Sequence, residues 1–136
     1  MKKIKLLWLA LIVLILNLVW EFSHYRLYND LTGISSNFHL IIASFGDVFL
    51  VFLIFGLISI KYRHIRWLKK PLKLDYFLII IYGTFLAIII EIVNLNLGRW
   101  SYKGIMPTIF GVGLSPLLQL SITGILSLLI FKKFNY

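Results

Sequence analysis

The sequence predicts an all-α integral membrane protein, a four-helix bundle forming a single membrane domain over residues 1–136. Three observations lead there. Of the 136 residues, 60% are hydrophobic and only 14% are charged, far from the make-up of a water-facing surface. The apolar residues fall into four runs, at 4–22, 40–60, 77–97 and 108–131. Each run is near the roughly 17 to 25 residues that a membrane-spanning helix needs. The basic residues, finally, sit at the ends of these runs or between them, most of them on one side of the alternation. Continuous apolar stretches of this length suit helices rather than the alternating strands of a barrel.

The first run begins among Lys2, Lys3 and Lys5 and looks like a secretory leader, but Trp20-Glu21-Phe22-Ser23-His24 offers no small-x-small cleavage site. An uncleaved first helix is therefore expected. Pro71 helps end the basic connection ahead of the third span, and Pro107 suits the first turn of the fourth helix. Pro116 lies inside the fourth run, where it is expected to kink the helix and free a carbonyl near Val112. The connections are too short to make a soluble domain, so any chemistry belongs to the helices and their ends.

Lys2, Lys3, Lys5, Lys61, Arg63, Arg66, Lys69, Lys70, Lys73, Lys132 and Lys133 flank one side of the spans, against Arg26, Arg99 and Lys103 on the other. This asymmetry predicts a multi-pass protein of the cell (inner) membrane with both termini cytoplasmic. The net charge of +9 is thus a topology signal with some affinity for anionic lipid, and no nucleic-acid partner is expected. With no cysteine the chain has no disulfide, thiolate ligand or redox dithiol, which excludes a quinone-linked thiol oxidoreductase.

Glu21, Asp47 and Glu91 lie in or at the ends of apolar runs, where an ionisable group costs several kcal/mol and usually pairs or marks a site. The topology places all three in the outer part of the membrane, Asp47 roughly 10 Å and Glu91 roughly 9 Å below the boundary at about 1.5 Å per residue. His24, Asn94, Arg99, Trp100 and Tyr102 belong to the same layer. Helical spacing puts Asn17, Glu21 and His24 on one face of the first helix if that helix continues past Trp20. Thr84, Ala87, Glu91, Asn94 and Gly98 form a small-and-polar stripe on the third, and Gly111, Ser115, Gln119, Thr123 and Ser127 one on the fourth. Small and polar stripes face neighbouring helices in lipid, so these are expected to turn inward.

Several chemistries fit this layer. Packing alone accounts for the stripes, and an ion-pair network with Arg26, Arg99 or Lys103 would account for the acids. Glu21-x-x-His24 has the spacing of helical di-iron carboxylate bundles, and with Asp47 and Glu91 it would make four ligands for iron, manganese or zinc. The chain lacks the second such pair; Glu91-x-x-Asn94 is an incomplete echo. A carboxylic acid in an apolar site can keep its proton near neutral pH and donate it, which makes Asp47 and Glu91, with Glu21 and His24 beside them, candidates for acid–base catalysis. Asn17, Asn94, Arg99, Trp100, Tyr102, Ser115 and Gln119 are the candidate ligand-binding residues, Arg99 suiting an anionic head and Trp20, Trp100 and Tyr102 the mouth of a pocket. The ligand expected is a membrane lipid or isoprenoid. A proton relay in a structural or transport subunit is the alternative, and transport would require a homo-oligomer.

The run Glu-Ile-Val-Asn-Leu-Asn-Leu-Gly-Arg-Trp-Ser-Tyr from Glu91, followed by Gly-Val-Gly-Leu-Ser-Pro-Leu-Leu-Gln to Gln119, resembles part of the membrane-embedded lycopene cyclase domain. That family has an acid ending one helix, a Gly-x-Trp-x-aromatic turn and a Pro-Leu-Glu-Glu start to the next helix. Glu91, Gly98, Trp100, Tyr102, Pro116 and Leu117 fit that pattern. The family's paired acids fall on Leu118 and Gln119, so the acid chemistry of those two positions is missing. The resemblance implies an isoprenoid or other apolar ligand.

Overall fold

Long uninterrupted runs of Leu, Ile, Phe and Val give the backbone no polar partner but itself, and each run closes into a helix. The computed structural model describes residues 3–29 and 36–134 and contains α1 (Lys3–His24), α2 (Ser36–Tyr62), α3 (Lys73–Asn96) and α4 (Leu114–Phe134). All four helices are long and apolar enough to cross a membrane. Short 3₁₀ turns follow α1 (Tyr25–Leu27) and α2 (Ile65–Lys69). Helix α1 does continue past Trp20, which keeps Asn17, Glu21 and His24 on one helical face.

The fourth helix starts later than its apolar run suggests. Thr108–Ile109 (β1) and Val112–Gly113 (β2) pair antiparallel, with Phe110 and Gly111 as the loop, both at positive φ (49° and 80°). Two positive-φ residues are what a tight hairpin turn needs, because its twist then matches that of the strands. Val112 therefore lies in a strand, and the kink expected there from Pro116 does not form. Pro116 sits instead in the first turn of α4, where a missing N–H breaks no intrahelical bond. Pro107 does not start the helix either; its carbonyl accepts the Leu114 N–H at 2.7 Å.

Helix α3 ends in a Schellman motif: Arg99 N–H reaches the Asn94 carbonyl (3.0 Å), Gly98 N–H reaches that of Leu95 (3.1 Å), and Gly98 takes φ +67°. This reversal sends the next residues back over the helix end. They run alongside the segment after α1, with Asn29 N–H on the Ser101 carbonyl (2.9 Å), Lys103 N–H on that of Leu27 (2.8 Å), and Tyr28 opposite Tyr102.

Helix α4 packs between α1 and α3, α1 also lies on α2, and the α2–α3 seam is the thinnest side of the ring. The α3–α4 approach is closest at Gly83, where an added Cβ would stand 2.6 Å from Ser121 Oγ and 3.0 Å from Ser121 N. Ser121 Oγ donates across the same contact to the Ile80 carbonyl (3.2 Å). The buried stripe of α3 is thus Asp75, Ile79, Gly83, Ala87, Glu91 and Asn94, with Gly83 rather than Thr84 as its small member and Gly98 beyond the helix end. On α4 Gln119, Thr123 and Ser127 are buried as expected, while Gly111 belongs to the hairpin. The half of the bundle away from the hairpin is an apolar core of Leu9, Val13, Ile54, Phe55, Ile58, Leu128 and Phe131, closed by Trp67 and Leu68 of the second 3₁₀ turn.

Candidate functional site

The apolar core ends where Asn17, on the buried face of α1, meets Gln119 on α4. Gln119 Nε2 lies 2.8 Å from Glu21 Oε1, 2.7 Å from Asp47 Oδ2 and 3.1 Å from Asn17 Oδ1. An amide nitrogen carries two hydrogens, and its two shortest contacts go to the carboxylates. One side chain of α4 thereby ties α1 and α2 together through their acids. Glu21 Oε2 also meets His24 Nε2 at 3.4 Å, and His24 Nδ1 shares a hydrogen bond with Ser115 Oγ at 2.6 Å. Among the described residues no Lys or Arg stands within ion-pair distance of an acid, the one acid–base contact being Glu21 with His24, so Arg26, Arg99 and Lys103 do not neutralise the acids as an ion-pair network requires.

Glu91 is held separately, by the segment that the Schellman turn sends back. Alternate residues of an extended chain share a face, so Trp100 and Tyr102 both reach it. Trp100 Nε1 donates to Glu91 Oε2 at 3.2 Å, the Tyr102 hydroxyl donates to the same oxygen, and the Tyr28 hydroxyl adds a third contact at 3.5 Å. Gly113 N–H donates to the Tyr102 oxygen at 3.0 Å, and a Cβ at Gly113 would stand 3.0 Å from the Tyr102 ring. Burial pushes the Tyr28 and Tyr102 hydroxyls well above the usual tyrosine range, and the Glu91 carboxylate adds to both shifts. Both stay protonated and so remain donors.

Between the two acidic groups lies a cavity of about 280 Å³. Glu21, His24, Asp47, Glu91, Trp100 and Gln119 line its polar end, with Tyr28 and His39 beside them; Ala43, Gly46, Leu50, Ala87 and Ile90 extend it along the thin α2–α3 seam. Ile42, also in the wall, is half exposed, so the cavity reaches the side of the bundle as well as its end.

All four candidate catalytic residues therefore border one cavity. The candidate binding residues divide. Trp100 and Gln119 line it; Asn17, Ser115 and Tyr102 hold the residues that do. Asn94 and Arg99 do not line it. Asn94 donates to the Ile90 carbonyl (2.7 Å), and Arg99 is exposed and donates to Asn94 Oδ1 (3.2 Å). Trp20 lies in a different groove, between α1 and α4 with Arg26, and its indole N–H is the one buried side-chain donor without a partner among the described residues. Of the metal set Glu21, His24, Asp47 and Glu91, Glu91 stands apart on two tyrosines and an indole, and among the described residues no three His, Asp or Glu side chains form a group that could hold an ion. Tyr28 and His39 join the site unforeseen, although one further helical step from His24 points to Tyr28.

No protein-family model matches the chain, and no curated protein or solved structure matches it either.

Proposed function

We propose that this is a multi-pass membrane protein, both termini cytoplasmic, whose cavity binds a lipid-like or isoprenoid molecule and acts on it by carboxylate acid–base chemistry. The observation that carries the reading is the meeting of Glu21, Asp47 and Glu91 around one cavity with no Lys or Arg against them. Packing would not require any of the three, and each is costly in an apolar span. The membrane itself is supported by the outward faces, where Leu7, Trp8, Ile15, Phe45, Phe49, Phe77 and Phe85 are all exposed. Glu21 and Asp47, on one amide nitrogen, can hold a proton between them at the cavity wall. Glu91, steadied by three donors, faces them as the stabilising or accepting carboxylate. An apolar tail lies along Ala43, Gly46, Leu50 and Ile90, within the α2–α3 seam.

Reporters fused to either terminus are expected to read cytoplasmic; a C-terminus on the far side removes the topology. Protein extracted gently and examined by native mass spectrometry is expected to carry an apolar molecule, lost from Asp47→Asn while the fold persists. If Asp47→Asn instead weakens assembly and no molecule co-purifies, the acids are structural and the alternative, a structural or transport subunit, takes the place of this one.

A further inference from the structure

The chain has fourteen Lys and Arg against five acids, yet three of the five acids line the cavity and no Lys or Arg does. The charge of this wall is thus opposite to that of the whole protein. Aromatic faces stand with the acids: Tyr28 meets Trp100 edge to face at 6.4 Å, and His39 meets Trp100 at the same distance. The two basic side chains nearest in sequence are placed elsewhere, Arg99 on Asn94 and Arg26 in the α1–α4 groove.

We infer that the polar end of the cavity receives a cationic head, an amine or quaternary ammonium group carried on a single apolar tail. The inference rests on the cavity reading above and names its class of ligand. A phosphate or carboxylate head would meet three acids and no Lys or Arg. A neutral head would bring no charge to balance the acids, whose placement in an apolar setting is costly. A metal ion needs ligands at close quarters, and these acids stand as two groups, Glu21 with Asp47 on one side and Glu91 on the other. A bulky, diffuse cation spans such a gap, and the rings of Tyr28 and Trp100 in the same wall can attract it as well. At about 280 Å³ the cavity is at the lower end of those that enclose drug-sized ligands, which run from about 300 Å³ upward. It therefore takes the head and the first part of the tail, and the rest leaves through the seam beside Ile42 and Gly46.

The test uses the full-length protein in nanodiscs of zwitterionic lipid and three probes with one tail: decyltrimethylammonium, decanol and decyl phosphate, each measured against empty nanodiscs. Decyltrimethylammonium is expected to bind at least about tenfold more tightly than decanol, a margin of about 1.4 kcal/mol, with decyl phosphate weakest. The margin is expected to vanish in the Asp47→Asn/Glu91→Gln double variant. A second measurement needs no variant: an ammonium probe with a photoreactive tail is expected to label Ala43, Gly46 or Ile90, and labelling confined to other faces overturns the inference. Equal or tighter binding of decanol or decyl phosphate also overturns it while leaving the cavity reading intact. If no probe binds above empty nanodiscs, the cavity reading falls, and this inference with it.

Discussion

Asp75 and Glu91 lie on the same buried face of α3, one near each end, and tyrosines hold both. At Asp75 each oxygen has its own donor: the Tyr62 hydroxyl reaches Oδ1 and the Leu72 N–H reaches Oδ2, both at 2.7 Å. The side chain is wholly unexposed and caps its own helix, beneath Tyr62 stacked on Trp67. At Glu91 all three donors converge on Oε2, so the second oxygen is not needed to hold it, and a cavity stands alongside. A buried acid whose acceptors are all used is part of the frame; one held by a single oxygen beside open space is equipped to meet something else. Geometry separates two acids of one helix face.

The widest separation is expected from Asp75→Ala. It removes a helix cap and strands the Tyr62 hydroxyl, for a loss of about 2 kcal/mol in reversible unfolding, with the co-purifying molecule still bound per folded protein. Loss of that molecule without loss of stability would erase the contrast. Next comes Gly113→Ala, whose Cβ must displace the Tyr102 ring; about 1 to 2 kcal/mol of stability and a clear drop in ligand retention are expected, though Gly113 does not line the cavity. Unchanged retention would show that the Tyr102 clamp is dispensable. Glu91→Gln keeps shape and an acceptor oxygen, so its stability is expected to move by less than about 1 kcal/mol while ligand binding fails. A fall in stability as large as that of Asp75→Ala would make Glu91 another frame residue.

The smallest effect concerns pH. Tyr28 and Tyr102 have folded-state pKa values raised above the ordinary tyrosine value, so the folded state holds their protons more tightly than the unfolded one. The stability this confers is complete below about pH 10 and is lost as pH rises beyond it. Thermal unfolding midpoints are expected to fall above that pH, less steeply in Tyr28→Phe, with tyrosinate absorbance from these two residues arising only on unfolding. Early ionisation in the folded protein would mean the clamp is open to water.

Charge pattern and run length made the four helices legible, and counting along helical faces made Asn17, Glu21, His24, Glu91 and Gln119 legible as one layer. The hairpin was hidden because Thr-Ile-Phe-Gly-Val-Gly reads as part of an apolar run, and its turn uses Phe110 at positive φ in place of the usual Asn-Gly signal. The α2 wall was hidden for a different reason. Ala43 and Gly46 line the cavity because the α2–α3 seam is thin, and no local pattern reports the separation of two helices. The role of Arg99 was misleading because position in sequence gives depth but not direction.

The Gln119 bridge also bears on how the protein is made. A chain made N-terminus first presents Glu21 and Asp47 long before the residue that joins them exists, and Glu91 before Trp100 and Tyr102 arrive to clamp it. A chain holding only α1 to α3 would carry all three acids without Gln119, Trp100 and Tyr102, which the proposed membrane setting makes costly. The fourth helix is therefore the one that makes the first three tolerable, and its arrival is registered by the same hydrogen bonds that shape the cavity.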